Sequence, residues 1–433
     1  MTSMREAFRL VTALSILLAG TQSAWAGQTP PATPATQVAP AAQKPAGARL
    51  RVFLDCDCFQ DYLRDEIKFV DFVHQAQDAD VHILSTTSDT GGGGRETVLR
   101  LIGRGRFTGH DQELKAISQS AEAESTRRER IKRTVEVGLA AYLAREGLPA
   151  NLGIEVGGER DEARRPADDP WKSWVFSIRG SADFNIEETQ RDRSWDINAG
   201  ADRITEAWKI TIGTGFSKEI EEFDLDEDEP LKAVRHERRG SWFIAKSWGP
   251  HWSVGLDGEV ESSTFGNTKF AWNTAPAIEY SVFPYSEYAR RQLRLMYAAG
   301  VAHARYNEIT LFDKFEETHP VHKAEMAFER QEPWGSIDTR FEFSQYLHDL
   351  SKYRLEVSGE LSWRITRGLS VNLDGGVSRV RDQLSLPRRD ATQEEVLLRL
   401  RELQSAYEIS FDIGFTYSFG ALYNNIVNPR FGR

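Results

Sequence analysis

Few residues in this chain have the type and spacing of a chemical site. The 2 cysteines are Cys56 and Cys58, flanking Asp57. A metal or redox site wants a C-x-x-C pair or histidines at ligand spacing, and neither lies near them. Two readings of the pair stay open, a C-x-C disulfide and two free thiols in a loop. Gly91 to Gly94 form a run of glycines. The run lacks the Lys-Ser/Thr of a phosphate loop and opens no helix, so it reads as a hairpin turn. His319 and His322 stand at i and i+3 beside Glu316 and Glu317. They fall in an expected loop, where solvated side chains are favoured over a surface metal contact. Neither H-E-x-x-H nor G-x-S-x-G occurs, so these motifs indicate no zinc protease or serine hydrolase. No catalytic residue, metal ligand or cofactor is expected.

Charge, by contrast, recurs at every second position of long segments. In "YEISFDIGFTYSFG" (407–420), Tyr407, Ile409, Phe411, Ile413, Phe415, Tyr417 and Phe419 form one face. Glu408, Ser410, Asp412, Thr416 and Ser418 form the other. Strict alternation of this kind marks a strand between two unlike environments. It returns in Trp174, Phe176, Ile178, Phe184 and Ile186, in Trp252, Val254 and Leu256, and in Tyr353, Leu355, Val357, Leu361 and Trp363. With the poor alternator "GSWFIAKSW" (240–248), twelve strands are expected from 172 to 420. Most are too long for a soluble sandwich, whose strands average about 5–6 residues, and suit a tilted membrane strand of about 9–11.

The polar faces supply the candidate interior residues. These are Arg179, Asp183, Glu187, Asp257, Glu259, Glu261, Glu325, Arg340, Glu342, Arg354, Glu356, Glu360, Arg364, Asp374 and Asp412. An open interior with this acidic excess favours cations or basic solutes. In the competing reading, opposite charges pair across the interior and fill it.

Other elements must position these strands. The chain has 433 residues and a net charge of −11. That balance argues against a nucleic-acid partner, which would require a basic face. Arg5 and Arg9, the apolar run Leu10 to Ala19, and Ala24-Trp25-Ala26 read as a signal peptide over 1–26. No other segment is apolar enough for a membrane helix. Residues 27–48 are Pro/Ala-rich and read as a linker. Residues 49–150 contain no Trp and alternate element types. A strand near 51–55 is followed by a helix carrying Leu63, Ile67, Val70 and Val73, then a hairpin about the glycine run. A second helix carries Ile131, Val135, Leu139, Tyr142 and Leu143. The order β-α-β-β-α predicts a small α/β domain, with a charged linker over 151–171.

The last strand resembles the C-terminal assembly signal of Gram-negative outer-membrane β-barrel proteins. Its matching positions are Asp412, Gly414, Tyr417 and Phe419, and the resemblance covers 172–420. It implies a mainly β fold, a 12-stranded antiparallel transmembrane barrel preceded by the α/β domain. It also implies outer-membrane lipid and the barrel assembly machinery as partners. Both the α/β domain and a tail over 421–433 would lie in the periplasm. The longer connections, 223–232, 307–320 and 382–406, would then face outward, as such barrels require. Val396, Leu397, Leu400 and Leu403 predict a short helix in the last of these. Twelve-stranded phospholipase barrels carry a His and a Ser close together on one strand. Here His303 is followed by Ala304 and Arg305, so that likeness ends at strand number. The function expected is a non-enzymatic small channel. An envelope protein whose periplasmic domain or outer loops bind a partner is the alternative, with a barrel enzyme third.

Overall fold

The computed structural model describes residues 49–119, 122–146, 169–223, 231–366, 368–388 and 405–418. The expected signal peptide, Pro/Ala-rich linker, most of the charged linker, Phe419 and the tail lie outside them. So do residues 389–404, and with them the expected loop helix.

The first region is a five-stranded mixed sheet with helices on one face. Its elements are β1 (Arg51–Asp55), α1 (Gln60–Glu66), β2 (Asp71–Phe72), β3 (Val81–Asp89), β4 (Arg95–Gly103), β5 (Gln112–Ser118) and α2 (Glu124–Glu146). The strand order is β2-β1-β3-β4-β5. Strand β1 runs parallel to β2 and β3, and the other pairs are antiparallel. Val52 and Leu54 alternate inward on β1 and meet Ile83, Leu99 and Leu101. Ile131, Val135, Leu139 and Tyr142 form the buried stripe of α2, at the spacing that puts one helix face on a core. The Tyr142 hydroxyl reaches Leu101 O at 2.9 Å, so its polar tip is bonded inside the core.

Two features differ from the expected β-α-β-β-α order. The first helix ends at Glu66. Val70, Phe72 and Val73 are buried in an extended segment that pairs with β1. Pairing the exposed edge of β1 outweighs the helical spacing of those apolar residues. The sequence reading also omits β5. It is a polar edge strand burying Ala116 and Ser118 while Glu113 and Lys115 point out, which leaves a weak hydrophobic signal.

The second region is a 12-stranded antiparallel sheet in which every strand pairs with its neighbours in the chain. The first six strands are β6 (Trp174–Ile186), β7 (Gln190–Ile204), β8 (Trp208–Phe223), β9 (Leu231–Trp248), β10 (Trp252–Ser263) and β11 (Thr268–Ser281). The others are β12 (Arg291–Tyr306), β13 (Glu316–Glu332), β14 (Gly335–Tyr346), β15 (Tyr353–Thr366), β16 (Leu369–Val380) and β17 (Tyr407–Tyr417). They span 11 to 18 residues. At one end, the turn end, four of the five connections are tight, such as the one between Glu332 and Gly335. The other, the loop end, carries 307–315 and 381–406. The first of these is shorter than expected because β13 already begins at Glu316.

The sheet's outward face is apolar. Ile178 is 85% exposed and Phe411 70%. Phe176, Leu256, Ile278, Leu295, Val357, Trp363 and Val377 are exposed with them. Among the described residues β6 and β17 each pair on one side only, so the sheet has two free edges. No helix among the described residues is long and apolar enough to cross a membrane.

Candidate functional site: the polar interior of the large sheet

The sheet curls so that the polar faces of distant strands look across shared space. A cavity of about 780 Å³ is lined by Lys209 on β8, Asp257 and Glu259 on β10, Asn273 and Glu279 on β11, Arg294 on β12 and Lys323 and Glu325 on β13. A second, of about 520 Å³, is lined by Arg179 of β6 with Asp196, Asn198, Glu237 and Arg239. Glu261 lines a third, of about 210 Å³, nearer the loop end.

Strand register sorts the charges into rows. Glu329, Asp338, Glu360, Asp374 and Asp412 are successive cross-strand partners on β13 to β17. Register partners share a face, so this is one row of carboxylates across five strands. Gln292 donates to Glu329 at 3.1 Å, and Arg294 lies 3.5 Å from it. Among the described residues no cation pairs with Asp338, Glu360, Asp374 or Asp412. A parallel row runs Glu325, Glu342, Glu356, Ser378 and Glu408. Here cations intervene. Lys323 lies 3.0 Å from Glu342 and 3.7 Å from Glu325, and Arg354 lies 3.2 Å from Glu356. Arg340 stands 4.0 Å from Glu325. One row thus has cations beside Glu325, Glu342 and Glu356, and the other has a cation only at Glu329 among the described residues.

The remaining candidates are dispersed. Asp183 lies 3.5 Å from the Ser194 hydroxyl, and Glu187 sits in the β6–β7 turn. Arg364 points out of the interior to Asp55 of the small domain.

At the loop end, residues 381–388 cross the opening as a strap. Asp382 accepts from Arg354 Nε at 3.0 Å. Asn267, between β10 and β11, donates to Ser385 O at 2.7 Å, and Leu311 N donates to Leu386 O at 2.8 Å. Its own side chains Leu384 and Leu386 are buried. Nothing periodic marks this segment in the sequence.

His319 and His322 lie on β13 rather than in a loop. Three residues apart on a strand, they point to opposite faces. His319 contacts Glu317 at 2.7 Å and stacks on His348 at 3.5 Å, whereas His322 meets Tyr297 at 3.2 Å. The Tyr306 hydroxyl donates to Glu317 at 2.5 Å, completing a polar group that sequence reasoning missed. Its members come from separate strands, so no local spacing announces it. Arg294, between Leu293 and Leu295, was also missed although its alternation is legible. Among the described residues no group of three His, Cys, Asp or Glu could hold a metal ion. The Cys56 and Cys58 sulphurs lie against each other in the turn after β1, and both side chains are buried.

In the turn before β12, Tyr285 donates to Glu279 at 2.8 Å and lies 3.0 Å from the Ser253 hydroxyl. Burial, with the Glu279 bond adding to it, pushes its phenol up to about 12. It therefore serves as a neutral donor at the turn end of the cavity of about 780 Å³.

No protein-family model matches the chain, and no curated protein matches it. Among solved structures, a crystal structure of the NanC porin aligns over 57% of this chain and 99% of that chain. The identity is 10% and the TM-score 0.27, a level of likeness that carries no argument about this chain.

Proposed function

We propose that the chain is a bacterial outer-membrane β-barrel whose acidic interior passes small cations or cationic solutes. The observation that carries this is the row Asp338, Glu360, Asp374 and Asp412. Like charges directly opposite one another are destabilising in a sheet. A row of them is tolerated where water and mobile cations screen it, which is the condition of a conducting interior. The apolar outward face supports lipid as its surroundings, because an exposed belt of this extent is foreign to a soluble monomer.

In lipid, a free strand edge leaves its N–H and C=O groups without partners at several kcal/mol each. On this reading β6 and β17, which run antiparallel in the up-and-down order, pair and close the ring. The α/β domain and the turn end lie in the periplasm, and the strap lies outside.

The test is planar-bilayer recording of the refolded full chain under a KCl gradient. A reversal potential of cation-selective sign is expected, moving toward zero in Glu360→Gln with Asp374→Asn. Anion selectivity would refute the reading, as would silence that persists when the contacts of the α/β domain with the turn end are removed.

A further inference from the structure

One face of the five-stranded sheet carries the helices. The other carries Phe53, Asp55, His82, Thr86 and Arg100, and this face meets the turn end of the large sheet. Thr86 donates to Ala289 O at 2.8 Å, in the β11–β12 connection. Gln331, at the β13–β14 turn, donates to Ser85 O at 3.0 Å and accepts from Arg100 Nη1 through its own carbonyl at 3.2 Å. Arg364, at the end of β15, pairs with Asp55. Gln75 donates to Ser418 O, just beyond β17, at 3.2 Å. At the opposite flank the glycine run touches the β7–β8 turn, where a Cβ on Gly91 would stand 2.6 Å from Ile204 Cβ. Contacts at both flanks and in the middle of a curved rim require a body that lies across the opening. Beneath it, Thr86 shares a cavity of about 190 Å³ with Glu329, Asp338 and Glu360, so the acidic row ends under the domain.

We propose that the α/β domain is the periplasmic closure of the pore, with Asp55–Arg364 as its central latch and the glycine tip as its far foothold. This rests on the pore reading above. The interface is built of hydrogen bonds and the Asp55–Arg364 ion pair, with Gly91 against Ile204 as an apolar touch. Interfaces that are polar rather than large and hydrophobic separate readily. The latch is also organised from behind. His82, fully buried, holds Asp55 at 2.9 Å, which orients the carboxylate toward Arg364.

The full chain in planar bilayers tests this with two variants. Gly91→Cys with Ile204→Cys, oxidised, locks the domain on the rim; a shift of about 1 Å brings the two Cβ atoms to disulfide range. Arg364→Ala with Thr86→Val releases it. The oxidised lock is expected to conduct about tenfold less than the same protein reduced, wild type with and without reductant serving as control. The released variant is expected to stay open about tenfold more than wild type. Formation of the lock is read independently by gel mobility without reductant. Equal current through locked and reduced protein overturns the closure and leaves the pore reading standing. Silence of wild type, released and reduced protein alike removes the pore reading, and the closure with it. Should the released variant misfold, the lock alone still decides.

Discussion

The two regions use the same apolar residue types in opposite directions. In the small domain Leu63, Ile83, Leu99 and Leu139 are at most fractionally exposed, and the polar groups ring them. In the large sheet Ile178, Phe411, Ile413 and Phe415 point outward, and the carboxylates point in. The hydrophobic effect acts on both, so the difference lies in what surrounds each region. The small domain makes its own dry interior. The sheet leaves its apolar face uncovered, and on the proposed reading lipid covers it.

The strongest way to test that contrast is to damage the small core. Leu139→Ala should cost about 2–5 kcal/mol of domain stability, since the Leu139 side chain is fully buried in the domain core. Urea denaturation followed by circular dichroism measures it. A loss well under that range would mean the domain lacks a packed core.

Next comes the sheet. Arg at Ile413 or Leu355 should cost roughly 2–4 kcal/mol near the bilayer midplane, with much smaller losses at Ser410 or Ser358. Refolding yields into lipid vesicles compare the two faces. Equal sensitivity would erase the contrast.

A subtler effect separates the regions by pH. Burial lowers the His82 imidazole below its ordinary value near 6.5, against the pull of Asp55, with Arg364 and Arg104 adding to the depression. The unfolded chain then binds a proton before the folded domain does. The stability that depends on neutral His82 is complete above about pH 6.5 and declines as pH falls toward the folded-state value. Thermal melts from pH 7.5 to 5 should show this slope, and His82→Gln should flatten it.

The smallest effect expected is at the acidic row. Asp374→Asn relieves repulsion from Glu360 and Asp412, and should stabilise the sheet by roughly 0.2–1 kcal/mol. A loss of stability would mean that Asp374 has a structural partner.

What was legible in the sequence follows from range. Alternation is a property of single strands, so the twelve strands and the outward set around Tyr407 to Tyr417 could be read from it. Helical periodicity likewise marked α2 through Val135 and Leu139. The shortened α1 and the polar β5 depend on tertiary pairing and could not be read so locally. Acidic residues could be assigned to a face one strand at a time. The unneutralised row could not, because it exists only once Glu360 is set beside Asp374 and Asp338 by register. The strap, the Glu317–His319 group and the Asp55–Arg364 pair join residues remote in sequence, and no periodicity encodes such meetings.

The two free edges bear on the order of events during folding. Each pairing from β6–β7 to β16–β17 joins consecutive strands, so each closes over a separation much smaller than that between the two edge strands. Joining β6 to β17 instead links residues near 174 to residues near 417. Loop-closure entropy must be met before that contact gives anything back. On the proposed reading, in which the two edges pair, that seam forms last and sets the folding rate. Until it forms, the unpaired backbone of both edge strands can capture another chain. A cell making this protein needs to shield those edges during the interval.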